Sequence, residues 1–324
     1  MKVLYLSSGY PRIYQFFDEC ILNEFHKLPD VEVKFYKLIE QPGPFISLCE
    51  QFQPDIVLTM LGDRLPKKSL EWIKHHNFHS ILWLTEDPYF TDRSIEIIPF
   101  FDVVFSIDIG AVNYYKSLGY QNIYHLPLGT DPAVFFPKPH IQKTNDICFI
   151  GHSYPERIRL VQLLLNETAF HIQVIGKWKK KLFYKPTKKL NIINSWIHPL
   201  KVADYYSNAK IVLNTHRSYN YKTNQNSAGI VNQSINNRTF DIAACGSFQL
   251  IQWIDDLPQH FEENKEIVSF KSDEDFLNKV NYYLSNDEER ELIAANGRKK
   301  ALMNHTFNHR INKMLEIVKE ILHY

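Results

Sequence analysis

An arginine, an aspartate and a glycine stand together in the run NNRTFDIAACG, Asn236–Gly246. Arg238 and Asp241 are three residues apart, a spacing that puts both on one face of a helix. A carboxylate at a helix start can accept two hydrogen bonds from a ribose diol. The glycine that ends the helix, Gly246, would let backbone amides come close to phosphate oxygens. Alone, the same residues also read as a helix with a C-terminal glycine and a solvated aspartate. A second pair of carboxylates, Glu86 and Asp87, follows an apolar run in LWLTEDPYF (Leu82–Phe90). The end of a strand is the edge where ligands bind in open α/β sheets. The alternative there is an Asp-Pro turn whose carboxylates cap a helix. Gly9, after the first apolar run, would let its loop approach a ligand closely.

Residues at strand ends need strands. Short apolar runs at Lys2–Ser7, Val31–Tyr36, Asp55–Met60, Ser80–Thr85, Val103–Ile107 and Asn122–Leu126 alternate with amphipathic stretches such as Ile13–Leu28. That alternation predicts a parallel sheet in a doubly wound domain. It pauses at Leu126–Asp146, where Pro132, Pro137 and Pro139 precede polar residues and predict an interdomain linker. It restarts with DICFIG (Asp146–Gly151), a helix from Pro155, and strands at Phe170–Ile175, Leu190–Asn194, Lys210–Asn214 and Ser247–Ile251. Ser272 and Asp275 open a helix with a capping pattern. Thr306–Tyr324 closes the chain with an apolar stripe of Ile311, Met314, Leu315, Val318 and Leu322.

Composition removes several function classes. The 324 residues are 44% hydrophobic and 23% charged with net charge +1, so no global field favours nucleic acid or an acidic membrane surface. The length suits two domains, each with its own core. The 4 cysteines have no CxxC spacing and imply neither a disulfide framework nor structural zinc. No apolar run approaches the roughly 18 residues of a membrane span, so the expectation is a soluble, cytoplasmic protein without integral membrane contact. Asp273-Glu274-Asp275 imitates a metal-binding DxD but reads as a helix cap. His75, His76, His79, His305 and His309 lack acidic or cysteine partners at zinc spacing and read as surface or capping residues. There is no G-x-G-x-x-G after a strand, no P-loop and no nucleophile elbow, which argues against dehydrogenase, P-loop NTPase and α/β-hydrolase activity.

Five segments in order give a more specific reading. Phe100–Pro137, with LPLGTDPAVFFP, resembles a "P-x-G-x-D-x-x-x-F-x-P" passage between two domains. CFIGHSYPERIRLVQLL resembles a phosphate-facing loop with Arg157 in the basic position. PLKVADYYSNAKIVLNTHR, RTFDIAACG (against "R-x-F-E-x-x-A-C-G") and the helical run from Lys265 to Arg310 complete the set. In these features the chain resembles the GT-B glycosyltransferases, and among them the CgeB-like spore-maturation family. The resemblance implies an α/β fold of GT-B architecture, with two Rossmann-like doubly wound parallel-sheet domains facing a central cleft. Residues 1–138 would form the acceptor-side domain and 139–305 the donor-side domain, with helix 306–324 packing back on the first.

The implied activity is metal-independent transfer of a sugar from a nucleoside-diphosphate sugar, by family preference a UDP-sugar, to a hydroxyl acceptor. That acceptor would be a glycan or a small molecule, with a spore-surface or cell-envelope glycan as the family example. The nucleotide sugar would be a substrate, with no further cofactor. A non-catalytic protein of the same fold that holds a nucleotide sugar or glycan is the alternative. The diphosphate would be met by Gly151, His152, Arg157, Arg238 and Lys177, all at or near strand ends. Lys177 lies in KWKKK, which equally reads as a solvated basic run. Asn237 and Asp241 would complete the nucleotide side with Gly246 and Gly9. Related enzymes often place a histidine or acidic group where Glu86 and Asp87 stand, and one of the two would serve as general base. Asp241 replaces the family's glutamate, and Gln233 stands eight positions earlier, where many retaining GT-B enzymes carry a second glutamate.

Overall fold

The computed structural model describes residues 1–38, 42–179, 181–182 and 188–322, which fall into two compact units. The first comprises Met1–Leu128, Tyr219–Ser234 and Phe307–Tyr324; the second comprises Gly129–Ser218 and Ile235–Thr306.

The first unit is built on a six-stranded parallel sheet. Its strands are β1 (Lys2–Leu6), β2 (Glu32–Tyr36), β3 (Ile56–Met60), β4 (His79–Leu84), β5 (Val103–Ser106) and β6 (Ile123–His125), in the order β2-β1-β3-β4-β5-β6. Every strand pair is parallel. A parallel strand covered on both faces reads as a continuous apolar run, and IVLTM of β3 and SILWL of β4 are buried at every residue. Helices α1 (Ile13–His26), α2 (Pro42–Phe52), α3 (Lys67–Lys74), α4 (Thr91–Ile97) and α5 (Ile109–Ser117) connect them. Leu4, Leu82, Val104 and Tyr115 lie in one core cluster of this unit.

Two distant segments complete the unit. The last helix, α12 (Phe307–Leu322), packs on α1. Phe307 meets Phe17 with ring centroids 6.2 Å apart, Asn308 Nδ2 donates to Glu24 Oε2 at 3.1 Å, and Ile311, Met314 and Val318 are buried. Tyr219–Ser234 also belongs here, although it lies within the expected span 139–305. Asp108 Oδ2 accepts from the backbone N–H of Gln233 at 2.8 Å and of Ser234 at 3.0 Å, while Oδ1 caps α5 through Ala111 N–H at 3.0 Å. Asp92 Oδ1 accepts from the Ser227 N–H at 3.0 Å and hydroxyl at 2.8 Å. The boundary between units falls at Leu128, inside the proline-rich passage and ten residues before the expected end at 138.

The second unit repeats the plan. Strands β7 (Asn145–Ile150), β8 (Ile172–Ile175), β9 (Leu190–Ile193), β10 (Ala209–Asn214), β11 (Gln249–Gln252) and β12 (Val268–Phe270) form a parallel sheet in the order β12-β11-β10-β7-β8-β9. This is the doubly wound Rossmann order, with its reversal point between β7 and β10. Helices α6 (Pro155–Glu167), α7 (Pro199–Asn208), α8 (Arg238–Ala244), α9 (Leu257–His260), α10 (Asp273–Ser285) and α11 (Asp287–Asn304) surround it. Ser272 Oγ accepts the Asp275 N–H at 3.1 Å at the start of α10, where the capping pattern lies. His305, expected at the surface or in a cap, is buried and stacked on Phe240 with centroids 4.6 Å apart. β12 has no counterpart among the expected strands, because three residues in KEIVSF are too few for a periodic signal.

Candidate functional site

The reversal point of the second sheet is the place to look for a ligand, since loops diverge there and leave the strand ends open. β7 delivers Gly151 to it with φ +150. A Cβ built on Gly151 would lie 2.5 Å from Arg238 Nη1 and 2.9 Å from Arg157 Nη1, so glycine is the side chain that two flanking guanidiniums permit. Behind it, Gly176 after β8 is equally constrained, since its Cβ would stand 2.2 Å from the Gly151 carbonyl oxygen. Trp178 Nε1 donates to that oxygen at 3.0 Å and fixes the loop from the core side.

The two arginines come from different helices and meet at one residue. Arg157, in the first turn of α6, is buried; its Nε donates to Thr215 Oγ1 at 3.0 Å, its Nη2 to Thr215 O at 2.9 Å and its Nη1 to His152 O at 3.0 Å. Arg238, the first residue of α8, donates Nη2 to the same Thr215 carbonyl at 3.1 Å and Nη1 to Ile150 O at 3.3 Å. Thr215 follows β10 and is fully buried. These carbonyl and hydroxyl acceptors hold the guanidiniums in place. Two guanidiniums are therefore aligned before any ligand arrives, an arrangement whose forks suit oxyanions.

His152 is exposed, with its ring 4.8 Å from that of Tyr154. Partial desolvation of that ring lowers its pKa even so, and the positive charges of Arg157, Lys177, Arg217 and Lys181 add to the effect. Lys177 is exposed at the end of β8, on the same edge as Gly151. The Tyr154 ring lies 4.8 Å from the Arg157 guanidinium and 5.4 Å from that of Arg217. Thr215, Gly176, Tyr154 and Arg217 were not among the expected site residues. The available signal for Thr215 and Arg217 was their place just after β10.

Asn237 and Asp241 lie at the start of α8, where Asn237 Nδ2 donates to Asp241 Oδ2 at 3.4 Å. Asp241 is buried, and burial raises its carboxyl to about 8, while Thr130 and Arg238 pull the other way. Gly246 requires a correction. It sits past the C-terminal end of α8 with φ +62, next to Pro137 and Arg298, at the opposite end of the helix from Arg238. It ends the helix and does not bring amides to the arginine pair.

In the first unit the structure separates the two carboxylates. Asp87 is buried and fully engaged: Oδ1 accepts from Ser94 Oγ at 2.9 Å and Tyr115 Oη at 2.9 Å, and Oδ2 from Ser106 Oγ at 2.7 Å. It ties β4 to α4, β5 and α5, which corrects its expected role as an alternative base. Glu86 is half-buried, and its Oε1 accepts a hydrogen bond from the Tyr14 hydroxyl. Gly9 is exposed in the loop after β1, beside Arg64. Gln233 spends its backbone N–H on Asp108 in this unit. Among the described residues, no group of three or more His, Cys, Asp or Glu could hold a metal ion. No described helix is long and apolar enough to cross a membrane.

Two parallel six-stranded sheets, the second with a guanidinium pair at its reversal point, define the class: the chain belongs to the CgeB-like family of GT-B-fold glycosyltransferases. It is 37% identical over 318 residues to the spore protein CgeB of Bacillus subtilis (strain 168), covering 95% of this chain and 96% of that protein. A family model described as "Glycosyl transferase-like" matches residues 157–316, a span that opens on Arg157 and contains Arg238 and Asp241. Among solved structures, the chain shares its fold with sucrose-phosphate synthase from Thermosynechococcus elongatus, at TM-score 0.72 and 10% identity over 99% of each chain. It does so too with Anabaena HepE in complex with UDP and glucose, at TM-score 0.64 and 11% identity over 98% of this chain and 99% of that one.

Proposed function

We propose that the second unit binds a nucleoside-diphosphate sugar and that the protein transfers the sugar to a hydroxyl acceptor without a metal ion. The observation that carries this reading is the pair of guanidiniums on either side of Gly151. Arg157 and Arg238 meet the diphosphate, with Lys177 and the Gly151–His152 loop beside them, and Asn237 and Asp241 meet the ribose. Glu86 takes the proton of the acceptor hydroxyl as that oxygen bonds to the anomeric carbon. The bond from that carbon to the diphosphate breaks, and the diphosphate leaves with the electron pair. Two arginines stabilise its developing charge electrostatically, a service that other transferases obtain from a divalent cation. UDP is the preferred nucleotide, because a neighbour of the same fold holds UDP and glucose. The spore protein relative supports an acceptor among spore-surface or cell-envelope glycans, met in the cytoplasm.

Calorimetry with UDP, GDP and dTDP tests the binding half: one nucleotide binds, and Arg238→Ala weakens it by roughly 1.5–3 kcal/mol, as loss of a charged hydrogen bond does. Hydrolysis of UDP-, GDP- and dTDP-sugars, with water as acceptor, tests the chemical half. Equal affinity of Arg238→Ala and wild type for every nucleotide would sink the site. Binding without turnover of any sugar points instead to a binding protein of the same fold.

A further inference from the structure

The run KWKKKLFYKPTKK, residues 177–189, holds seven lysines and no acidic residue, in a chain whose net charge is +1. The nearest acids along the chain are Glu167 and Asp204. Such a run is ordinarily a solvated surface or a guard on a sheet edge, and β9, which follows it, is an edge strand of the second sheet. The way it is attached points further. Ser153 Oγ donates to the Lys177 carbonyl at 2.5 Å, and Trp178 Nε1 donates to the Gly151 carbonyl at 3.0 Å. Trp178 and Leu182 are buried in the core of the second unit. The Lys179 N–H donates to Asn194 Oδ1 at 2.7 Å, just past the end of β9. Lys177, Lys179, Lys181 and Lys188 are exposed. Two apolar anchors and three hydrogen bonds thus hold a series of ammonium groups beside the loop that Arg157 and Arg238 flank. Their field reaches that loop: behind desolvation and Arg157, Lys177 and Lys181 help to lower the pKa of His152. At the opposite edge of the same sheet, Lys210 at the start of β10 is instead paired with Asp146 of β7 at 3.0 Å.

We propose that Lys177, Lys179, Lys181 and Lys188 form a steering surface that draws the nucleotide's diphosphate to the Gly151 loop and raises its association rate, while Arg157 and Arg238 hold it once it has arrived. This rests on the reading of the arginine pair as the diphosphate site. A diphosphate in solution feels a cluster of positive charge over about one Debye length, about 10 Å at 0.1 M ionic strength and about 30 Å at 0.01 M. Charges that act at that range without touching the bound ligand change how often it arrives, and leave how long it stays to the groups that grip it.

The test follows association by stopped-flow tryptophan fluorescence, with Trp178 against the Gly151 carbonyl as reporter, using the full chain and whichever of UDP, GDP and dTDP binds it. Lys179→Gln/Lys181→Gln should lower kon about three- to tenfold at about 0.01 M ionic strength, with koff within about twofold of wild type. The Kd from calorimetry should rise by the same factor. At about 0.5 M ionic strength, where screening confines the field to a few ångströms, the two proteins should converge. Lys299→Gln/Lys300→Gln removes the same charge from α11, next to Arg298 at the Gly246 end of α8, and should bind as wild type does. Equal kon for Lys179→Gln/Lys181→Gln and wild type at low salt overturns the inference. So does a loss that lies in koff, or one that Lys299→Gln/Lys300→Gln shares. Absence of any nucleotide binding to the wild type overturns the arginine site and the steering with it, which keeps the two failures apart.

Discussion

Asp241 is a carboxylic acid whose chemistry departs far from its ordinary behaviour. Burial raises its carboxyl from 3.8 to about 8. The folded protein therefore holds the proton at pH values where the unfolded chain has released it. The stabilisation is complete below the unfolded pKa and is lost as pH rises through the folded one. Between pH 5 and 7 this group alone should cost about 1.4 kcal/mol of stability per pH unit. Asp241→Asn mimics the protonated form and removes that slope. Urea unfolding at pH 5, 6 and 7 should show the variant gaining on wild type at each step; parallel profiles would contradict the assignment. Gly151 makes a second residue-scale prediction. An alanine there pushes its Cβ against both guanidiniums at 2.5 and 2.9 Å. Gly151→Ala should reduce nucleotide affinity at least tenfold, about 1.4 kcal/mol, while the second unit stays folded, read by calorimetry and circular dichroism.

At the scale of elements, Asp108 holds two pieces of the first unit together. One carboxylate oxygen caps α5, and the other receives the chain at Gln233 and Ser234. Replacing it with alanine removes an N-cap, worth about 1 kcal/mol, and strands two further backbone donors. Asp108→Ala should lower stability by roughly 2–4 kcal/mol. It should speed hydrogen exchange at the Gln233 and Ser234 amides, while amides of β3 and β4 stay protected. Exchange at Gln233 and Ser234 as slow as in wild type would mean that Asp92 alone anchors the segment.

For the whole molecule, α12 is the chain's last contribution to its first unit. Phe307, Ile311, Met314 and Val318 are buried there, and each buried apolar side chain is worth about 1.5–3 kcal/mol. Their sum rivals the entire stability of a domain. Deleting the residues after His305 should therefore unfold the first unit while the second keeps a thermal transition of its own, seen as one lost peak in calorimetry. A truncated protein with both transitions intact would show that α12 is dispensable. The reaction as a whole should also proceed in EDTA at the wild-type rate, because arginines supply the positive charge. Activity that EDTA abolishes and Mn²⁺ restores would overturn that part of the proposal.

Much of this was legible in the residues. Buried parallel strands must be apolar throughout, so eleven of the twelve strands announced themselves as short runs, and Gly151, Arg157 and Arg238 stood where those runs end. The Rossmann plan and the place of these residues beyond its strand ends thus follow from local pattern. Four matters did not. Thr215 joins two arginines that lie 58 and 23 positions away. Asp87 and Glu86 are adjacent in sequence, yet three hydroxyls from remote helices and strands bury one and leave the other half-open. Gly246 was expected to end its helix and to join the nucleotide contacts, and the fold puts that end away from Arg238. Tyr219–Ser234, without periodicity of either kind, returns to the first unit because Asp92 and Asp108 accept its backbone donors from 125 to 135 positions away. A sequence encodes what each stretch must bury, since burial is paid in the identity of its own side chains; which donor meets which acceptor across such separations is decided only when the sheets bring them within 3 Å.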